Sequence, residues 1–200
     1  MEPSRISSHP TKVYRLRADA NRYQGLVLEE GDWDFLWDKF DGNAIADTWR
    51  PLMVRVFRDD GRSGGAPSDF PSLAAAIPVF SPRAIESLGD MLAGSGEILA
   101  LHCPEGTYVA FNVTRVVDAL DEMRSELKRF DDGRIMRIVR HEFHQDSVAD
   151  VDIFKLPQMP KSAVYVSDRF VERIREAHLV GFKPELVWIG HGRAAESERP

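Results

Sequence analysis

The chain has 200 residues, a single cysteine and a net charge of −6. Its hydrophobic fraction of 43% and charged fraction of 29% are those of a folded globular chain, and the length suits one core-forming domain. One cysteine excludes an intramolecular disulfide framework, uniform acidity disfavours a nucleic-acid partner, and no apolar run reaches the roughly 18–20 residues that cross a bilayer.

Residues 1–11 are polar, carry Pro3 and Pro10, and read as a flexible tail without the apolar core of a secretory signal. No membrane association is therefore expected, and the expected location is the cytoplasm. Residues 13–17 alternate as a first strand and residues 23–28 as a second. Residues 29–47 then gather seven acids against one base, Lys39, together with Trp33, Phe35, Trp37 and Phe40. Trp33 and Trp37 are four apart, as are Leu36 and Phe40, so a short helix would collect aromatics on one side. Such a segment is a solvated acidic edge with aromatics in the core, or an acidic docking surface for a basic partner.

Residues 52–58 alternate as a strand. The glycines of residues 59–69 lack the Gly-Lys-Ser/Thr and the strand–loop–helix frame of a phosphate loop, so a mobile surface loop is expected. Ser81-Pro82 opens a helix over 82–93, with Ala84, Ile85, Leu88, Met91 and Leu92 as its stripe and Gly94 as its stop. Residues 97–101 form the next strand. In residues 108–117, Val109, Phe111 and Val113 face one way and Tyr108, Ala110, Asn112 and Thr114 the other, the pattern of a strand internal to its sheet. Asp118, with Asp121 three residues on, reads as the cap of a turn to which Ser125 bonds back. Residues 126–143 read as a hairpin turning at Asp131-Asp132-Gly133. Residues 149–156 and 164–166 are further strands. Ser167 caps a second helix over 168–179 that buries Phe170, Val171, Ile174 and Ala177 and stops at Gly181, before a last strand at 185–189. Residues 191–200 read as a flexible tail. The fold class is α+β: one domain over 12–190, a mainly antiparallel sheet of about eight strands and two main helices.

No catalytic signature stands out. His141-Glu142-Phe143-His144 has its histidines three apart on a strand, pointing to opposite faces, so no metal is expected. A hydrolase would need Cys103 activated by His102 or His141. Asp118 and Asp121 read as turn bonds rather than a catalytic carboxylate pair. No cofactor site is expected. A ligand pocket beside the central sheet would be lined by Asn112, Thr114 and Tyr165.

The order of segments resembles a family of bacterial domains identified as immunity proteins of polymorphic toxin systems. The pieces are Val79-Phe80-Ser81, Gly96-Glu97-Ile98-Leu99, Tyr108 through Thr114, Val117-Asp118-Ala119-Leu120-Asp121 with Ser125, Ile153-Phe154-Lys155, Val164 through Asp168 with Phe170, Leu179-Val180-Gly181-Phe182 and Val187-Trp188. Trp49-Arg50-Pro51 and Ser68-Asp69-Phe70-Pro71 are weaker marks of the same series, which spans about two thirds of the chain. The resemblance implies a protein that binds and neutralises a cognate toxin without catalysis. It supplies no catalytic residue. If that toxin is a nuclease, its site is basic and the acidic segment becomes the candidate toxin-binding surface, through Asp32, Asp34, Trp37, Asp38 and Asp41.

Overall fold

In the computed structural model of the chain, residues 11–29, 36, 38–58, 65–74 and 77–190 are described. Asp32, Asp34 and Trp37, both terminal tails up to residue 10 and from residue 191, and residues 59–64 of the glycine-rich loop lie outside them.

The described residues form eleven strands in three sheets rather than one sheet of eight. The first sheet is antiparallel, in the order β11 (Glu185–Ile189), β1 (Lys12–Arg15), β10 (Tyr165–Ser167) and β9 (Ile153–Phe154). The second runs β2 (Leu26–Leu28), β3 (Leu52–Val56), β5 (Gly96–His102), β6 (Val109–Val113) and β4 (Val79–Phe80). It is antiparallel except where β3 pairs with β5, Leu52 opposite Leu101. The third is the hairpin of β7 (Glu126–Arg129) and β8 (Ile135–Arg140). Three α-helices lie wholly within the described residues: α1 (Pro82–Leu92), the short α2 (Gln145–Val148) and α3 (Asp168–Glu176). The architecture is α+β.

Strand β6 is internal, with β5 on one side and β4 on the other. Its alternation divides two cores. Phe111 and Val113 join Phe80, the α1 residues Ala84, Leu88 and Leu92, and the α3 residues Phe170, Val171 and Ile174. Tyr14, Leu16 and Val166 reach this core from the first sheet. Tyr108 and Ala110 face the other way, into a core with Leu52, Val54, Leu99 and Leu101 that Leu36, Phe40 and Ile45 cover. A third core lies on the far side of the first sheet, where Phe154, Tyr165 and Trp188 meet Leu120, Ile138, Phe143 and Val148. Each large sheet is thus covered on both faces. The apolar side chains of the acidic segment, where described, supply one of the covers.

Both main helices start at their predicted caps. Ser81 Oγ accepts the Ala84 N–H and Ser167 Oγ the Phe170 N–H, each at 3.1 Å. Helix α3 stops earlier than expected. Its last turn closes at Ala177, and His178 turns the chain away with φ of 51°, so the terminator is His178 and not Gly181. Gly181 has a different task. Its φ is 91°, and a side chain there would collide with Ser68. The expected strand over 149–156 shrinks to β9, because α2 and the turn after it take up the preceding residues. The tip of the hairpin is as expected, with Gly133 at φ of 84°. The C-terminal part of the glycine-rich loop is tied down, not mobile: Ala66 N–H bonds the Arg22 carbonyl, and Asp69 is buried.

Candidate functional site

The described part of the acidic segment is mounted on the fold by two polar fastenings, one part-buried on β5 and one buried just after β9. The first is Glu97 on β5. Its carboxylate accepts the N–H groups of Ile45 at 2.8 Å and Ala46 at 3.1 Å, and the Asn112 side-chain amide at 2.9 Å. The same Asn112 nitrogen donates to the Asn43 carbonyl at 2.8 Å. Burial pushes the Glu97 carboxyl up, but the donors from Ile45, Asn112 and Ala46 outweigh it, and its pKa lies below the ordinary value. Two side chains on one face of the β5–β6 pair (Glu97 stands across from Asn112) therefore clamp the chain at residues 43–46.

The second fastening is Lys155, which is fully buried and donates from Nζ to the Phe40 carbonyl at 2.6 Å. Burial pushes its pKa down to about 8, against a smaller upward pull from Asp41. The backbone of Lys155 bridges Val116, and Val116 packs where a side chain at Gly42 would otherwise go. Phe40 itself meets the Trp49 ring edge-on at 5.9 Å. The two fastenings leave residues 38–39 at the surface.

The acids have different tasks. The Asp38 side chain is 79% exposed and pairs loosely with Lys161 at 3.3 Å. Asp41 accepts both the backbone and the side-chain N–H of Asn43 at 3.0 Å in a turn at the surface. Partial burial pushes its carboxyl up, and those hydrogen bonds carry it below the ordinary value. Asp38 is thus available to a partner, while Asp41 shapes the turn.

The other candidate groups do not assemble. Cys103 is half-buried, its thiol donates to the Glu105 carboxylate at 3.4 Å, and burial pushes its pKa up, the opposite of an activated nucleophile. His102 is exposed at the end of β5. His141 lies in the third core, against Tyr165 and Phe143. Asn112, Thr114 and Tyr165 line no common pocket: Asn112 belongs to the Glu97 fastening, and Tyr165 faces the third core. A cleft of about 360 Å³ lies elsewhere, walled by Leu16, Phe70, Leu73, Ile77, Val79 and Val164. Among the described residues no three His, Cys, Asp or Glu side chains gather as metal ligands, and no helix is long and apolar enough to cross a membrane. Asp118 accepts from the Gln158 side chain, and it is Asp121 that caps the turn, through the Arg124 N–H at 3.1 Å.

His141 makes the third core sensitive to acid. Its Nε2 lies 3.1 Å from the Tyr165 hydroxyl. Burial, and then the nearby Arg15 charge, lower its pKa to about 4. An unfolded chain takes up the proton first as pH falls from the ordinary value near 6.5, so stability present above that pH is lost toward pH 4. Against His141→Gln, the wild type is expected to lose about 2 kcal/mol more between pH 6.5 and 5. Urea unfolding at the two pH values checks this; equal losses would place a charged imidazole in the fold.

Residues 102–187 match the model of the immunity protein family Imm11. The matched part begins at the end of β5, so it contains β6, the hairpin and α3, while α1 and the acidic segment precede it. A comparison with curated proteins finds no match.

Proposed function

We propose that the protein is an immunity protein that binds and neutralises a cognate toxin of a polymorphic or contact-dependent toxin system, in the cytoplasm of the producing bacterium and without catalysis. The observation that carries this reading is the Imm11 match over residues 102–187. The acidic segment is the proposed toxin contact, through Asp32, Asp34, Trp37, Asp38 and Asp41. Its support is charge and mounting: it holds seven acids against one base, and its rear is fastened by Glu97, Asn112 and Lys155. A toxin that acts on nucleic acid presents a basic site, which such a segment would enter as a phosphate mimic.

Co-expression with the toxin encoded by the neighbouring gene tests the reading. Growth rescue and a stable complex are expected; neither rescue nor complex would overturn it. Within that complex, reversal of Asp32, Asp34 and Asp38 to lysine is expected to slow association about tenfold at low salt. Asp41 is left in place because its carboxylate holds the Asn43 turn.

A further inference from the structure

We infer that the β7–β8 hairpin is a docking arm for an acidic surface of a protein partner, with Lys128 and Arg137 as its contact charges. The inference rests on the toxin-binding reading and names a second contact face for it, within the Imm11-matched residues.

The hairpin inverts the charge of the chain around it. Residues 124–140 hold six bases, Arg124, Lys128, Arg129, Arg134, Arg137 and Arg140, against Glu126, Asp131 and Asp132, in a chain of net charge −6. Three of these bases have local partners: Arg129 pairs with Glu122, Arg134 with Asp132 and Arg140 with Glu142. Lys128 and Arg137 enter no salt bridge among the described residues. They stand directly opposite each other in the strand register, and both are exposed. Like charges in directly opposed positions destabilise a strand pair, so this arrangement works against the hairpin that carries it. A partner that supplies the missing carboxylates would relieve the repulsion.

The same surface carries apolar anchors. Val139 lies two residues from Arg137 and is 40% exposed, and Phe130, two residues from Lys128, is 46% exposed. Charged residues interleaved with exposed aliphatic and aromatic side chains suit a protein interface better than a phosphate backbone. The opposite face is used inward: Leu127 pairs with Ile138, which is buried in the third core. The base of the arm is rigid. Ser125 Oγ accepts the Glu142 N–H at 2.9 Å and donates to the Glu142 carbonyl, and Trp188 Nε1 donates to the Glu142 carboxylate at 3.1 Å. A firmly rooted arm loses little freedom on binding.

Lys128→Glu separates a lost contact from a lost fold, because a glutamate opposite Arg137 makes an opposite-charge pair. Arg137→Glu does the same from the other strand. The probe is a catalytically inactivated form of the neighbouring-gene toxin, titrated against the full chain by surface plasmon resonance. Each variant is expected to unfold at or above the wild-type temperature and to associate about tenfold more slowly, with a weaker salt dependence. Wild-type binding that both variants retain would overturn the hairpin inference and leave the toxin reading standing. No binding by the wild type would overturn both. Binding of a single-stranded oligonucleotide that Lys128→Glu abolishes, in place of toxin binding, would assign the face to nucleic acid and also overturn it.

Discussion

Asp69→Ala is expected to lower stability by about 3 kcal/mol, the scale for removing a buried carboxylate that serves several part-buried donors at once. For a chain of this length that is a fall of roughly 6–12 °C in Tm. Asp69 is buried in the segment before β4, and its carboxylate joins three distant parts of the fold. Oδ1 accepts from Ser81 Oγ at 2.7 Å, while Oδ2 accepts from Arg83 at 2.7 Å and from the Val180 N–H at 2.9 Å. The ion pair alone would contribute little, since the Arg83 side chain is half exposed. The larger part comes from the Ser81 hydroxyl and the Val180 N–H, part-buried donors left without their acceptor. Ser81 is also the cap of α1, and Arg83 donates to the Ala177 and His178 carbonyls at the end of α3. One carboxylate thereby positions the start of one helix against the finish of the other. Asp69→Asn, which keeps a single carbonyl acceptor, should lose distinctly less. Calorimetric unfolding of the two variants beside the wild type checks the order; an alanine variant as stable as the asparagine one would show that the carboxylate is not the hub.

The helices and hairpin were legible because their signals are local. Ser81-Pro82, the cap at Ser167 and the Asp-Gly pair at the hairpin tip each act within four residues, and each is found where its spacing puts it. The alternation of β6 was equally readable, since a strand with two apolar faces must be covered twice. The division into separate sheets was not readable. It depends on β1 pairing with β10 and β11 across the length of the chain, and on the parallel contact of β3 with β5. Nothing in a single strand's pattern chooses those partners. The mounting of the acidic segment was hidden for the same reason. Glu97 lies 52 residues from Ile45, and Lys155 lies 115 residues from Phe40. Lysine rarely signals a core position, and within the strand expected over 149–156 nothing in the pattern marked Lys155 as buried beside Ile153 and Phe154. The opposition of Lys128 and Arg137 was hidden too, because a register shift between Lys128 and Arg129 separates that pair from the hairpin's turn.

Lys155→Met should flatten one part of the pH profile of stability. Lys155 titrates at about 8 in the fold and at the ordinary 10.5 when unfolded. Between these values the unfolded chain binds more protons, so stability rises with pH through that window. Below pH 8 the penalty for burying the charge is present in full, roughly 3 kcal/mol. From pH 8 to 9.5 the wild type is expected to gain about 2 kcal/mol relative to Lys155→Met. At pH 7 the methionine escapes the charge penalty but leaves the Phe40 carbonyl without its donor, a loss of about 1–3 kcal/mol. The variant should therefore be no less stable than the wild type, as when a buried charge gives way to an apolar side chain of similar size. A lysine that contributes so little net stability serves position instead: it holds the Phe40 carbonyl against the chain just after β9 and fixes the path of the acidic segment there. Hydrogen exchange separates the two roles. In Lys155→Met the Gly42 and Asn43 amides should exchange faster while those of β6 stay protected. Parallel pH profiles for the two proteins, with unchanged exchange at residues 40–46, would mean that Lys155 neither carries this charge penalty nor holds the segment in place.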